Sequence, residues 1–282
     1  MRSLGVVMRL FRKVAIVGVG LIGGSIGLAI KKKGLADKVI GIGRRRESLN
    51  EALAVGAVDQ AYLGLENIKG ADLVVLAAPV REIIKIIPQL PGLISKDCVV
   101  IDAGSTKSEI LKTAQRYKLN FIGAHPLAGM EKKGPKYARA GLFENSWCLL
   151  VPAKTAKAAA LEKIEKLWVK TGARIKIISA RDHDRILAYT SHLPHLVVFG
   201  LLDCLKRDYL DFAAGGLKDT TRIGLSDPLL WRDIFLTNRE EVLKAVKAFK
   251  KSLARLEETI AANHPGKLVS CLESSRNKRN AF

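Results

Sequence analysis

The chain has 282 residues, 48% of them hydrophobic and 26% charged, which excludes a disordered or fibrous protein and leaves room for two packed domains. Its 47 Lys and Arg outnumber 27 Asp and Glu to give a formal charge of +20, a balance that suits anionic partners, with a solvated basic surface as the alternative for most of the lysines. Four cysteines (Cys98, Cys148, Cys204, Cys271) lack the paired spacing of a zinc ribbon or a disulfide scaffold. They point to a reducing cytosol, each as a small buried apolar residue.

Apolar runs at 14–18, 39–42, 73–76 and 98–101 predict buried strands of a parallel sheet, and 22–33, 46–55 and 80–90 predict the helices between them. Runs at 121–123, 147–151 and 174–178 extend the sheet, with a helix at 156–171. The uncharged segment 14–30 imitates a signal peptide or membrane anchor, but its five glycines and short span argue against both, so the chain reads as soluble. Met1 and Met8 both offer a start to translation. After residue 179 the strand pattern stops. A long helix over 181–204 carries Pro194, which removes a backbone donor and should kink the helix and free the Thr190 carbonyl. A further helix over 238–262 has an apolar stripe of Val242, Ala245, Val246, Phe249, Leu253, Leu256 and Ile260. The expected architecture is α/β: an N-terminal Rossmann-type parallel-sheet domain over 12–179, then an all-α domain over 180–275.

Gly18-Val19-Gly20-Leu21-Ile22-Gly23 follows a strand and opens a helix. In this pattern the first glycine permits the turn, the second lets the backbone approach a pyrophosphate, and the third packs helix on strand. An NAD site usually ends its second strand in Asp or Glu. Here Gly43 precedes Arg44-Arg45-Arg46, which slightly favours NADP; a solvated basic loop accepting either cofactor is the alternative. Lys31-Lys32-Lys33 is the other basic run expected beside this site, while Arg276-Asn277-Lys278-Arg279 reads as a mobile end. Thr106 and Glu109 fit a capping box after the strand ending at Asp102, and Ser105 lies at that strand's carboxyl end, where ligands bind. His125 follows the next strand, either as a general base or as a structural histidine bonded to a carbonyl. His192 and His195 lie three residues apart on the kinked helix; with no further ligand in sight they make no metal site. Arg222 suits a carboxylate, with pairing to Asp219 or Asp233 as the alternative.

These motifs together resemble the prephenate dehydrogenase family: GVGLIGGS at 18–25, DAGSTKSE at 102–109, GAHPLAG at 123–129, SHLPH at 191–195, GGLKDTTRI at 215–223 and SDPLLWRDI at 226–234. The resemblance implies oxidative decarboxylation of prephenate or arogenate, with hydride passing to NAD(P), in tyrosine biosynthesis in the cytoplasm. It implies His125 as the group that takes the 4-hydroxyl proton, with Ser105 hydrogen-bonded near it. Arg222 and His195 would hold substrate, and Ser191, Asp219 and Trp231 would shape that wall. Gly18, Gly20, Leu21, Ile22, Gly23, Arg44, Arg45 and Pro79 would bind the cofactor. It also implies a homodimer through the helical domain, with the 242–260 stripe in its interface. The nearest rival is a β-hydroxyacid or imino-acid oxidoreductase of similar plan. A nucleic-acid-binding regulator finds no helix-turn-helix or aromatic-studded basic patch to support it.

Overall fold

A computed structural model describes residues 9–130 and 132–281; Met1 and Met8 lie outside the described residues. Eight strands form one sheet in the order β3-β2-β1-β4-β5-β6-β7-β8. They are β1 (Phe11–Val17), β2 (Ala36–Ile42), β3 (Gln60–Tyr62), β4 (Leu73–Leu76), β5 (Val99–Asp102), β6 (Phe121–Pro126), β7 (Trp147–Pro152) and β8 (Arg174–Ile177). The helices among them are α1 (Leu21–Lys32), α2 (Arg46–Ala54), α3 (Val80–Ile86), α4 (Ser108–Arg116) and α5 (Ala158–Lys170).

Helices cover both faces, which is why the central strands read as unbroken apolar runs rather than alternating ones. Val14, Ile16, Val75 and Ile101 pack with Ile26 and Ile30 of α1 on one face. Ala15, Val17, Val74 and Leu76 pack with Ile83 of α3 and Ile110 of α4 on the other. The expected all-parallel sheet needs one correction. β7 runs antiparallel to β6, because the connection between them carries no crossover helix and turns straight back. The parallel strands β1, β4, β5 and β6 still share one carboxyl edge.

From Ala180 the chain is helical: α6 (Ala180–Leu187), α7 (Leu193–Asp203), α8 (Gly215–Thr221), α9 (Pro228–Thr237), α10 (Arg239–Ala261) and α11 (Pro265–Arg279). Between α6 and α7, Ala188–His192 widens into a π-helix just ahead of Pro194, which cannot donate into the ladder. The combined helix Ala180–Asp203 has the length and mean hydropathy (1.2) of a membrane span by composition alone, yet its buried side chains include His183, Asp184 and His192.

The apolar stripe on α10 divides. Val242 and Ala245 are buried against Ala188 within the chain, with Val246 packed on them, so of the stripe Phe249, Leu253 and Ile260 are exposed and Leu256 is half-buried. The basic tail is not a loose end. Arg276, Lys278 and Arg279 lie in the last turn of α11, where their charge suits the helix carboxyl terminus. Cys98 and Cys148 are buried and burial pushes both thiols up, Cys98 to about 12, whereas Cys204 is exposed and Cys271 half-buried.

Candidate active site

The glycine turn sits between β1 and α1. Gly18 has φ +95°, and a Cβ there would lie 2.4 Å from the Ala77 carbonyl oxygen, so the turn requires glycine. A Cβ on Gly20 would meet nothing within 4 Å: the space above this backbone is a cradle a side chain would fill. Gly20 caps α1 without a side-chain bond, and the first turn, starting with Leu21 and Ile22, carries no acid. Free amide donors at an unencumbered helix amino terminus fit the pyrophosphate of a dinucleotide. Gly23 approaches the Gly18 carbonyl so closely that a Cβ would stand 2.0 Å from it.

Arg44 and Arg45 follow β2 on the same edge, and Arg44 donates to Glu82 of α3 at 3.0 Å. Pro79 is exposed at the N-cap of α3, also at this edge. The lysine run behaves otherwise than expected. It stands at the far end of α1, a 12-residue helix and so roughly 17 Å from Gly20. There Lys31 pairs with Asp59 at 2.6 Å.

Past β5 the chain makes a sealed polar knot. Lys107, fully buried, donates from Nζ to Asp102 Oδ2 at 2.6 Å and to the Gly104 carbonyl at 2.6 Å. The expected capping box does not form. Helix α4 begins at Ser108, which leaves Thr106 outside it, and Thr106 bonds Thr237 of α9 at 2.9 Å instead. The cap comes from a distance. Asp184 of α6 accepts from the amides of Lys107 and Ser108, each at 2.8 Å. Ser105, in the bend before this helix, is half-buried and forms no hydrogen bond with His125 among the described residues.

His125 lies in β6 at the same carboxyl edge. Its Nδ1 is 2.9 Å from Nε2 of His183, and His183 Nδ1 is 2.8 Å from Asp184 Oδ1. Its Nε2 has no hydrogen-bond partner among the described residues, and the side chain is half-buried. Burial pulls the His125 pKa well below its ordinary value, with His183, Lys107 and His192 adding to the shift. Burial lowers His183 as well, against the pull of Asp184. Desolvation raises Asp184, but the hydrogen bonds from His183 and Ser108 outweigh it and hold the carboxyl low, so it is ionised.

The facing wall belongs to the helical part. His195 stacks on Trp231 of α9, ring centroids 3.6 Å apart, and its Nδ1 donates to the Ser191 carbonyl at 3.0 Å. His192 is buried, accepts at Nδ1 from Asn238 Nδ2 at 3.1 Å, and is lowered by burial to about 4. Arg222 stands near enough to depress His195 further, behind burial as the main cause. Asp219 is exposed one helical turn before Arg222, while Asp233 pairs with Arg232 at 2.8 Å and with Arg81 of α3 at 3.5 Å. Arg81–Asp233 and Lys133–Asp227 link the sheet part of the chain to the helical part.

The structure thus joins His125 to His183 and His195 to Trp231, with His192 between them, near enough to His125 to affect its titration and 6.1 Å from the Trp231 ring, while the glycine turn and Ser105 lie on the sheet edge. It adds two residues that sequence reasoning passed over, His183 and Asp184. Their signal was Asp182-His183-Asp184 in the first turns of a helix, indistinguishable by sequence from a solvated start. No group of three or more His, Cys, Asp or Glu side chains suited to a metal ion occurs among the described residues.

Comparison with known proteins agrees with this arrangement. Residues 26–177 match the prephenate dehydrogenase nucleotide-binding domain, and residues 179–274 match the prephenate dehydrogenase dimerization domain. A cyclohexadienyl dehydrogenase of Zymomonas mobilis is 32% identical, the alignment covering 98% of this chain and 97% of that protein. A prephenate dehydrogenase from A. aeolicus, solved with hydroxyphenyl propionate and NAD+, superposes with a TM-score of 0.91 at 34% identity, covering 96% of this chain and 98% of that one. A Synechocystis arogenate dehydrogenase gives a TM-score of 0.84 at 27% identity over 95% and 99% of the two chains. Matched in both halves and by relatives along nearly its whole length, this chain belongs to the prephenate dehydrogenase family.

Proposed function

We propose that the chain catalyses oxidative decarboxylation of prephenate or arogenate, with hydride transfer to NAD(P), as a cytoplasmic homodimer in tyrosine biosynthesis. The observation that carries this reading is His125 Nε2, without a hydrogen-bond partner among the described residues, at the carboxyl edge of the sheet that also bears the glycine turn. Family membership argues against the rival hydroxyacid and imino-acid reactions. The four free cysteines suit a reducing compartment.

Bound at the Gly18–Gly23 turn, the nicotinamide cofactor supplies a hydride acceptor for the hydrogen on C4 of the substrate ring. His125 removes the 4-hydroxyl proton at Nε2, so that the oxygen can form a carbonyl as C4 is oxidised. Ser105, beside it on the same edge, donates a hydrogen bond to that oxygen. Arg222 holds a carboxylate of the substrate, and His195, Ser191, Asp219 and Trp231 line the opposite wall. Release of the ring carboxylate as CO2 returns an electron pair to the ring and leaves a phenolate, which takes back from His125 the proton removed earlier and becomes a phenol. The chain needs only to exclude water and hold the ring, since aromatisation drives this step. His125→Asn keeps a polar side chain without a base of comparable strength. It is expected to lower kcat about 10²–10⁴-fold with cofactor affinity unchanged; a folded variant with normal kcat would falsify the assignment.

NADP is slightly favoured over NAD. No acid follows β2 at Gly43 to repel a 2′-phosphate, and the exposed Arg44–Glu82 pair costs at most about 1 kcal/mol to reopen. Arg44→Ala should raise the KM for NADP well above any change for NAD, and equal effects would return Arg44 to the role of surface charge. Assays with prephenate or arogenate, each with NAD or NADP, then assign the substrate.

A further inference from the structure

We propose that His183 and Asp184, at the start of the helical domain, are positioning residues that set the tautomer of His125 and so aim its lone pair at the substrate. The inference rests on His125 being the base of the proposed reaction.

Asp184 anchors the chain of bonds. Its carboxylate accepts from two backbone amides, Lys107 and Ser108, and from His183 Nδ1, all at 2.8 Å. The amides can only donate, so this group is held as an acceptor and its third partner must also donate. His183 therefore carries its proton on Nδ1. A neutral imidazole with a proton on Nδ1 has its lone pair on Nε2. That lone pair faces His125 Nδ1 at 2.9 Å, so His125 donates from Nδ1, which leaves Nε2 unprotonated. Every link is fixed by the one before it.

A solvated imidazole prefers the opposite arrangement, with the proton on Nε2. Left to itself, His125 would present N–H rather than a lone pair to the cleft. The chain of bonds also serves once a proton has been taken. Positive charge on His125 is then hydrogen-bonded to His183, whose other nitrogen rests on an anion. Asp184 does this while capping α4, the helix that follows the Ser105 bend. One carboxylate in the helical domain therefore fixes both the base and the loop beside it.

The direct test is 15N NMR of protein labelled on its five histidines, with the His125 ring assigned by its loss in His125→Asn. The expected wild-type spectrum shows an unprotonated Nε2 and a protonated Nδ1 for His125; a proton found on Nε2 overturns the proposal without recourse to any His183 variant. His183→Leu should move His125 toward the Nε2-protonated form and lower kcat about tenfold to a hundredfold, the scale set by outer hydrogen-bond partners, with KM values little changed. His183→Gln can accept from His125 through its oxygen and donate to Asp184 through its nitrogen. It should restore the tautomer and most of kcat. A His183→Leu enzyme with unchanged tautomer, or with normal kcat despite an altered one, overturns the proposal, as does a Gln variant no better than Leu. Normal kcat in His125→Asn would instead sink the base assignment and leave the tautomer measurement standing.

Discussion

Lys107→Met should unseat the fully buried ion pair beneath the Ser105 loop. Lys107 and Asp102 have no exposed side-chain surface, and Asp102 also accepts from the amides of Gly104 and Ala124. Methionine keeps the aliphatic stem that lies against Gly123 but leaves Asp102 buried without its cation. Breaking a buried pair from one side costs about 3–5 kcal/mol. With an m-value near 3 kcal/mol/M for a chain this long, the urea midpoint should fall by roughly 1–1.7 M. Burial already pushes the Asp102 carboxyl up and Lys107 opposes that push, so removing Lys107 drives it higher. A carboxyl raised in the folded state binds its proton more tightly there than in the unfolded chain. The penalty is therefore largest at neutral pH and shrinks as pH falls. Urea titrations by circular dichroism at about pH 7.5 and about pH 5.5 would measure both effects. Asp102→Asn added to Lys107→Met keeps an acceptor for the Gly104 amide without a charge, and should recover most of the loss. An unchanged midpoint in the single variant, or a double variant no more stable than it, refutes the reasoning.

The two glycines of the turn should separate fold from binding. Gly18→Ala forces a Cβ onto the Ala77 carbonyl at positive φ and should lower stability, whereas Gly20→Ala should fold normally and raise the Kd for NAD(P) at least about tenfold by filling the pyrophosphate cradle. Equal stabilities for the two would contradict this split. His192, depressed from about 6.5 when unfolded to about 4 when folded, binds fewer protons in the native state between those values; its stability contribution is whole above 6.5 and is lost as pH falls to about 4, on the order of 3 kcal/mol. A His192→Gln variant whose urea midpoint falls as steeply as wild type over that window would assign the loss elsewhere. Leu253→Glu with Ile260→Glu should leave the fold intact, since both side chains are exposed, and yield monomers by light scattering. A persistent dimer places the interface away from this end of α10.

What the sequence made legible was local. The strands of the central sheet and α1 follow from apolar runs and a glycine turn that need no distant partner. β3 escaped notice because Gln60–Tyr62 is a three-residue edge strand with one polar and two half-buried side chains. The capping box failed because Thr106 and Glu109 form a plausible local signal that a carboxylate 78 residues beyond Thr106 overrides, Asp184 reaching the α4 amides first. His183 is 58 residues from His125 and meets it only because α6 packs beside α4, which no spacing rule announces. The lysine run looked close to the nucleotide turn in sequence. A helix carries its two ends apart, and that geometry was available from the sequence had the direction of α1 been followed.

In the proposed reaction, recognition of an anionic substrate is then expected from arginine rather than histidine. Burial lowers the pKa of His125, His183, His192 and His195 alike, so these rings are neutral at working pH. Three carboxylates of this region have named partners: Asp102 has Lys107, Asp184 has two amides and His183, and Asp233 has Arg81 and Arg232. His195 spends its Nδ1 proton on the Ser191 carbonyl and so offers substrate a lone pair, not a charge. Arg222, close enough to His195 to depress it, is the cation that the proposed reading sets against a substrate carboxylate. Arg222→Ala should therefore cost about 2 kcal/mol of binding, the low end for a charge pair given that Arg222 is exposed, or about a thirtyfold rise in substrate KM. Because arginine does not titrate, that ratio should hold from about pH 6 to about pH 8, while kcat follows the His125 lone pair. A KM ratio that collapses on acidification would show that a protonated histidine, and not Arg222, carries the charge.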